Sequence, residues 1–231
     1  MPANSVGGPR STRGRPAKAP LSEAAIVDAA VEILRLEGMD ALSMRRVAAA
    51  LDTGAGSLYV YVAGREGLIE AVFDRVVTGV ELEPPDPRRW RDQLVLVVER
   101  TRDALVAHPG IAAAAMVDPP RTTATMRLLE NLLGLLLAGG LAPRDAAWTA
   151  DTLFAQVTHA AVEAEIRQMS SSELADDVAA SFARLPAEKF PLITAHAATL
   201  VSGDFTERFR YAVDIVIDGA LARTAGKAPQ H

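Results

Sequence analysis

Apolar positions recur along this chain at spacings of three and four, the period of helices buried along one face, and no stretch alternates as a strand would. In "LSEAAIVDAAVEILRLEG" the stripe is Ile26, Ala30, Ile33 and Leu34. Ser22 is placed to cap this helix, Glu23 to suit its positive end and Leu21 to staple onto Ile26; Gly38 supplies a left-handed exit. The same signals return at Ser43, with Leu42 and Val47 as the staple, and "MRRVAAAL" stops near Asp52. A third helix is predicted over about 55–62 and a fourth from Gly64–Arg65 to about Gly79. "ELEPPDPRR" then interrupts the pattern, because its prolines cannot continue a helix. Longer helices are predicted at about 88–107, 121–138, 144–168, 187–200 and 204–223, separated by "HPG", "DPP", "AGGLAP" and the polar "MSSSELADD". The expectation is an all-α fold, a small N-terminal helical module over 21–80 on a larger C-terminal helical bundle over 88–225.

Composition supports helix, since alanine and leucine dominate. The chain has no cysteine, which excludes disulfides, thiolate metal sites and cysteine nucleophiles. The first 20 residues, "MPANSVGGPRSTRGRPAKAP", lack the apolar core of a secretory signal and have the composition of a disordered arm. "LLENLLGLLLAGGL" falls short of the roughly 20 apolar residues that span a bilayer. A cytoplasmic chain without a membrane partner is expected.

The net charge of −5 argues against a polyanionic partner until its distribution is considered. Residues 1–20 carry Arg10, Arg13, Arg15 and Lys18 and no acid; through Arg75 nine basic side chains balance nine acidic ones. The deficit lies wholly in the body. Such a front end suits either a polyanion or a merely solubilising tail.

The stretch "AAALDTGAGSLY" favours the polyanion. Its alanines allow close packing, Asp52 tolerates a left-handed turn, and Thr53 or Gly54 can cap the next helix. A helix–turn–helix has this plan, its second helix entering the major groove of DNA. Leu58 and Val62 face inward, leaving Ala55, Gly56, Ser57, Tyr59 and Val60 outward and Tyr61 at the edge. Small residues let a helix approach base edges, Ser57 can bond there, and a tyrosine hydroxyl can bond a phosphate. Arg65 opens the next helix, and Arg45 and Arg46 begin the second. Taken singly, a Leu-Tyr pair near a helix end also serves core packing, and a lone arginine is often solvated.

Taken together, "LSMRRVAAALDTGAGSLYVYVAGREGLIEAV" resembles the DNA-binding domain of the TetR family of transcriptional regulators over about residues 22–75. The resemblance implies phosphate contacts or approaches for Tyr59, Tyr61 and Arg65, and base or backbone contacts for Arg45, Ala55, Gly56 and Ser57. Departures are Asp52 for the usual turn glycine, Gly54 where a Ser/Thr cap is usual, Arg65 for a common lysine, and Tyr61 for a more frequent histidine. Ala55 and Gly56 offer bases few hydrogen bonds, so sequence preference is expected from Arg45, Ser57, DNA shape and the arm. Arg13 and Arg15, with Lys18 beside them, are candidates for a minor-groove arm.

One such module makes few contacts, whereas paired modules about 34 Å apart read a palindromic operator. A homodimer is therefore expected. Trp148, Thr152, Ala155, His159, Val162 and Ile166 form one candidate stripe, and Phe205, Phe209, Ala212, Val216 and Gly219 another. The spacing leaves open whether each faces a second copy or its own core; the resemblance favours a four-helix dimer interface. "RLLENLLGLLLAGGL" and "FRYAVDIVIDGAL" resemble the C-terminal domain of the tetracycline-repressor branch, which implies a cavity among the middle helices. Rough alignment puts Val97, Thr101, Met116 and Leu132 at ligand-facing places. The histidines and amides that hold a magnesium–drug chelate in that branch are missing, which implies a mostly apolar effector, no cofactor and no metal. Gln156 and His159 are candidate anchors, although a histidine on an apolar stripe is more often a core or interface residue. His108, before Pro109, suits a cap.

An all-helical enzyme or carrier without DNA binding is the rival class. No histidine pair at metal spacing, phosphate loop or nucleophile motif supports it, and Glu163 and Glu165 lie on different helix faces. A constitutive DNA binder is a second rival, which a body larger than dimerisation needs argues against. The expected function is a ligand-responsive repressor, repression being implied by the resemblance and not by any one residue.

Overall fold

The computed structural model describes residues 20–117, 121–169 and 173–226, and every regular element among them is helical. The N-terminal module comprises α1 (Glu23–Glu37), a 3-10 turn (Met39–Ala41), α2 (Met44–Ala50), α3 (Ala55–Leu58) and the start of α4 (Gly64–Thr78). Ser22 Oγ accepts from the Ala25 N–H and Ser43 Oγ from that of Arg46, each at 3.2 Å. Both helices therefore begin where the sequence placed their caps. Ile26, Ala30, Leu34, Leu42, Val47, Leu58, Leu68 and Val72 meet in a common core.

The body comprises α5 (Trp90–Val106), α6 (Ile111–Val117), α7 (Thr123–Ala138), α8 (Pro143–Met169), α9 (Glu173–Ala183), α10 (Pro191–Ala195), α11 (Ala197–Val201) and α12 (Phe205–Gly226). Helix α8 packs against α5, α6, α7 and α12, with Leu94, Leu105, Leu135, Leu136, Leu153 and Ile217 fully enclosed. Helices α9, α10 and α11 pack chiefly on one another. Helix α4 spans both parts, contacting α1 in the module and α5, α6 and α7 in the body. No helix among the described residues is long and apolar enough to cross a membrane.

The proline-rich break at 81–89 is strapped to the body rather than left as a free hinge. Buried Gln93 accepts from the Asp86 N–H at 2.8 Å and donates to the Pro84 carbonyl at 3.0 Å. Asn131 donates to the Glu83 carbonyl at 2.8 Å.

Several helices differ from expectation. The "IAAAAMV" segment forms α6, and the "ELADD" part of the polar run is helical, in α9. The helix expected over 187–200 is two short ones joined at His196, whose backbone leaves helical geometry (φ −113°). Helix α3 ends at Leu58 rather than near Val62. The Leu58 carbonyl receives the N–H groups of both Tyr61 and Val62, which tightens the chain into turns.

Candidate nucleic-acid interface

The turn between α2 and α3 is a Schellman motif with aspartate at the left-handed position. Asp52 has φ 49°, its N–H bonds the Ala49 carbonyl at 3.2 Å, and the Thr53 N–H bonds that of Ala48 at 2.9 Å. This geometry caps α2 and redirects the chain into α3. Leu58 is fully buried, while Gly56, Ser57, Tyr59 (60% exposed) and Val60 (82% exposed) face outward. A short helix anchored by one leucine thus presents small and hydroxylated residues to solvent. Ala55 is half-buried against the core.

The cations divide into committed and uncommitted. Arg46 makes a paired contact with Glu37, Nε to Oε2 at 3.0 Å. That hydrogen bond holds the Glu37 carboxyl below its ordinary range and raises the Arg46 guanidinium. Arg45 is exposed and bonds no described residue, so it is the free cation at the start of α2. Arg65, although exposed, is tied to backbone: Nε donates to the Leu42 carbonyl at 3.1 Å and an Nη to that of Met39 at 3.3 Å. It ties α4 to the turn between α1 and α2, a structural role the sequence did not suggest. Tyr61 donates its hydroxyl to the Leu21 carbonyl at 2.9 Å, joining the turn after α3 to the chain before α1. Arg13, Arg15 and Lys18 lie outside the described residues.

Arg65→Ala should lower stability by about 1–3 kcal/mol, because two carbonyls lose a charged donor. Thermal unfolding and the salt dependence of DNA binding together separate the roles. A structural arginine moves the melting temperature, whereas a phosphate contact moves the salt slope instead.

In the body, the six proposed ligand residues lie on four helices and differ in burial. Val97 and Thr101 are sealed in the core, the Thr101 hydroxyl bonding the Val97 carbonyl at 2.7 Å. Met116 is 52% exposed on α6, Gln156 is half-buried and His159 is exposed on the outer side of α8. A cavity of about 320 Å³ opens between α7 and α8, floored by Leu128, Leu132 and Ala150 and walled by Met126, Leu129 and Phe154. It takes in Leu132 alone of the six, and Arg121 and Asp151 stand among its lining residues. Sequence reasoning missed these charges, since only the packing of α7 on α8 brings them together.

On α8, Trp148, Thr152, Ala155, His159 and Ile166 are exposed. The α12 stripe divides. Phe209 is buried and Phe205 half-buried, both stacked on the Arg102 guanidinium at 4.6 and 5.6 Å, so this end faces the protomer's own core. The exposed apolar residues of α12 are Tyr211 and Ile215. His108 caps as expected, Nδ1 lying 2.7 Å from the Ala104 carbonyl. Glu163 pairs with Arg167, and Glu165 accepts the Gly110 N–H at 2.9 Å.

A helix–turn–helix with an open reading face, carried on an all-helical body, defines a class of DNA-binding regulators. Two family models match the chain: "Bacterial regulatory proteins, tetR family" over residues 26–72 and "Tetracyclin repressor-like, C-terminal domain" over 83–224. The chain belongs to the TetR family of transcriptional regulators. It is 36% identical over 135 residues to the HTH-type transcriptional repressor DrrR1 of Streptomyces coeruleorubidus, covering 56% of this chain and 50% of that protein. The chain thus spans about half the length of that relative. The crystal structure of apo ActR from Streptomyces coelicolor superposes with a TM-score of 0.85 at 37% identity, covering 92% of this chain and all of that one. ActR in complex with actinorhodin matches with a TM-score of 0.84 at 38% identity, covering 89% of this chain and 99% of that chain.

Proposed function

We propose that this protein is a cytoplasmic repressor which, as a homodimer, holds a palindromic duplex operator and releases it when a largely apolar small molecule binds. The module over 21–80 reads DNA, and the body over 88–225 pairs the copies and receives the ligand. The observation that carries the reading is the reading face of α3, with Leu58 buried beneath exposed Gly56, Ser57 and Tyr59. In the complex, Arg45, Ser57 and the small residues Ala55 and Gly56 meet bases or backbone, Tyr59 meets a phosphate, and Arg13, Arg15 and Lys18 reach an adjoining minor groove. Tyr61 and Arg65 flank the same backbone, with their strongest donors engaged within the module.

Three further observations support the assembly and the ligand. Trp148, Ile166, Tyr211 and Ile215 give α8 and α12 exposed apolar residues suited to a two-fold interface. DrrR1 is named a repressor, and the related ActR has been crystallised with actinorhodin. Val97, Thr101, Met116, Leu132, Gln156 and His159 remain candidate ligand residues, with Leu132 the one already exposed to the α7–α8 cavity.

The test is selection of duplexes from a random pool by the full chain, followed by titration at several salt concentrations. The expected result is an enriched palindrome whose affinity falls steeply as salt rises. Arg45→Ala should reduce the salt slope by about one per contacted module. A chain that enriches no sequence and binds duplex without salt dependence would be a carrier instead.

A further inference from the structure

Helix α12 packs its backbone chiefly on α8. Towards α5 it is joined by long side chains, which form three rungs. Arg91 donates through Nη1 to Asp218 at 2.6 Å and through Nη2 to Asp214 at 2.7 Å. Arg210 donates through an Nη to Glu99 at 3.1 Å. Arg102 stacks on Phe209 and Phe205 at 4.6 and 5.6 Å. Positions 91, 99 and 102 share one face of α5, and their partners follow one another in reverse order along α12. The two helices are therefore antiparallel and held in one register.

The rungs differ in what they can do. Glu99 keeps 13% of its side chain exposed and Arg102 keeps 7%, so either one, deprived of its partner, would leave a charge away from water. Those two rungs hold the fold. The Arg91 rung is more open, with Arg91 half-buried and both aspartates exposed. Its hydrogen bonds hold the Asp218 carboxyl below its ordinary range. An open ion pair adds little to folding. What this one adds is geometry, because one planar guanidinium meets carboxylates a full turn apart and so resists both roll and slide of α12.

That restraint matters for Ile215, which follows Asp214 and lies about 100° further round the helix. With a helix radius of about 5–6 Å, a roll of about 10° carries its side chain by about 1 Å. A close-packed contact does not absorb such a shift.

We propose that Arg91 is a positioning residue for the pairing of two copies: by bridging Asp214 and Asp218 it presets the roll of α12 at which Ile215 and Trp148 meet the second copy. This rests on the α8–α12 interface proposed above. The bridge acts by preorganisation, since a chain without it samples several rolls and pairs from one. If one chain in about three keeps the pairing roll, a dimer of two such chains is weaker by about tenfold.

The test is a mutant cycle on the dimer dissociation constant of the full chain, measured by sedimentation over a range of concentrations. Arg91→Ala should raise the constant about tenfold, and Asp214→Asn combined with Asp218→Asn by about as much. All three changes together should add nothing further, because either side alone removes the whole bridge. Arg91→Lys, a point charge facing two separated carboxylates, should fall between wild type and Arg91→Ala. Thermal unfolding at a dilution where every variant is monomeric should stay close to wild type.

A dissociation constant for Arg91→Ala within about twofold of wild type would overturn the proposal. So would additive effects of the two sides, which mark separate charge effects on the second copy, or a monomer destabilised enough to account for the loss. Ile215→Glu serves as the reference. If it remains dimeric, the α8–α12 interface itself fails and the proposal with it; if it is monomeric while Arg91→Ala pairs normally, the proposal alone fails.

Discussion

Ile215→Glu should turn the protein into a monomer that no longer retains its selected duplex. Ile215 is 53% exposed at the centre of a shallow groove between α8 and α12, with Trp148 (56% exposed), Thr152, Val216 and Gly219 around it. Arg144 stacks on the Trp148 ring at 4.1 Å, holding the indole in place. A two-fold interface repeats every substitution, so two carboxylates would be buried at once. Each uncompensated buried charge costs about 3–5 kcal/mol. Arg91 is already taken by Asp214 and Asp218, at 2.7 and 2.6 Å, which leaves Arg223, also lining the groove, as the cation that offsets part of the new charge. Dimerisation should therefore weaken by more than about a thousandfold. Sedimentation should report the monomer and duplex titration the loss of tight binding, while the melting temperature of the isolated chain stays close to wild type because Ile215 is outside its core. A variant that remains dimeric would place the interface elsewhere.

Gly110→Ala should be strongly destabilising for a single-methyl change. Gly110 has φ +87°, where an L-residue is disfavoured by about 1–2 kcal/mol. A Cβ there would also lie 2.6 Å from Cβ of Met39, in the 3-10 turn of the DNA module. Crowding of that kind adds about 1–3 kcal/mol. A combined loss of about 3 kcal/mol lowers the melting temperature of a domain this size by roughly 10 °C. Scanning calorimetry checks it. Met39→Gly in the same chain, which removes the Cβ itself, should recover part of the loss by removing the clash and leaving the backbone strain at Gly110. This contact also links the two parts of the protein: Glu165 of α8 holds the Gly110 N–H, Gly110 abuts Met39, and the Met39 carbonyl takes a donor from Arg65 at the start of α4.

How legible each feature was in the sequence depends on the range over which it acts. Ser22, Ser43 and Asp52 act on backbone groups within a few residues of themselves, so caps and turn were legible in order along the chain. Helix α6 was not, because "IAAAAMV" is too short and too uniformly apolar to show a period. The inward turn of Phe209 depends on Arg102, more than 100 positions earlier, and no local pattern announces that pairing. Arg65 illustrates the same limit within the site itself: its place at the head of α4 suggested a phosphate, and its bonds to the Leu42 and Met39 carbonyls could not be read from that place. The cavity charges Arg121, just before α7, and Asp151 of α8 come to line one cavity only through the packing of the bundle.

The bond from Tyr61 to the Leu21 carbonyl reaches across 40 positions and pins the chain just before α1 against the turn that follows α3. The entry to α1 and the exit from α3 are thereby fastened as one clasp, so a tilt of the α3 exit is passed to α1 without any change in the core. Tyr61→Phe would open that clasp and leave every charge in place.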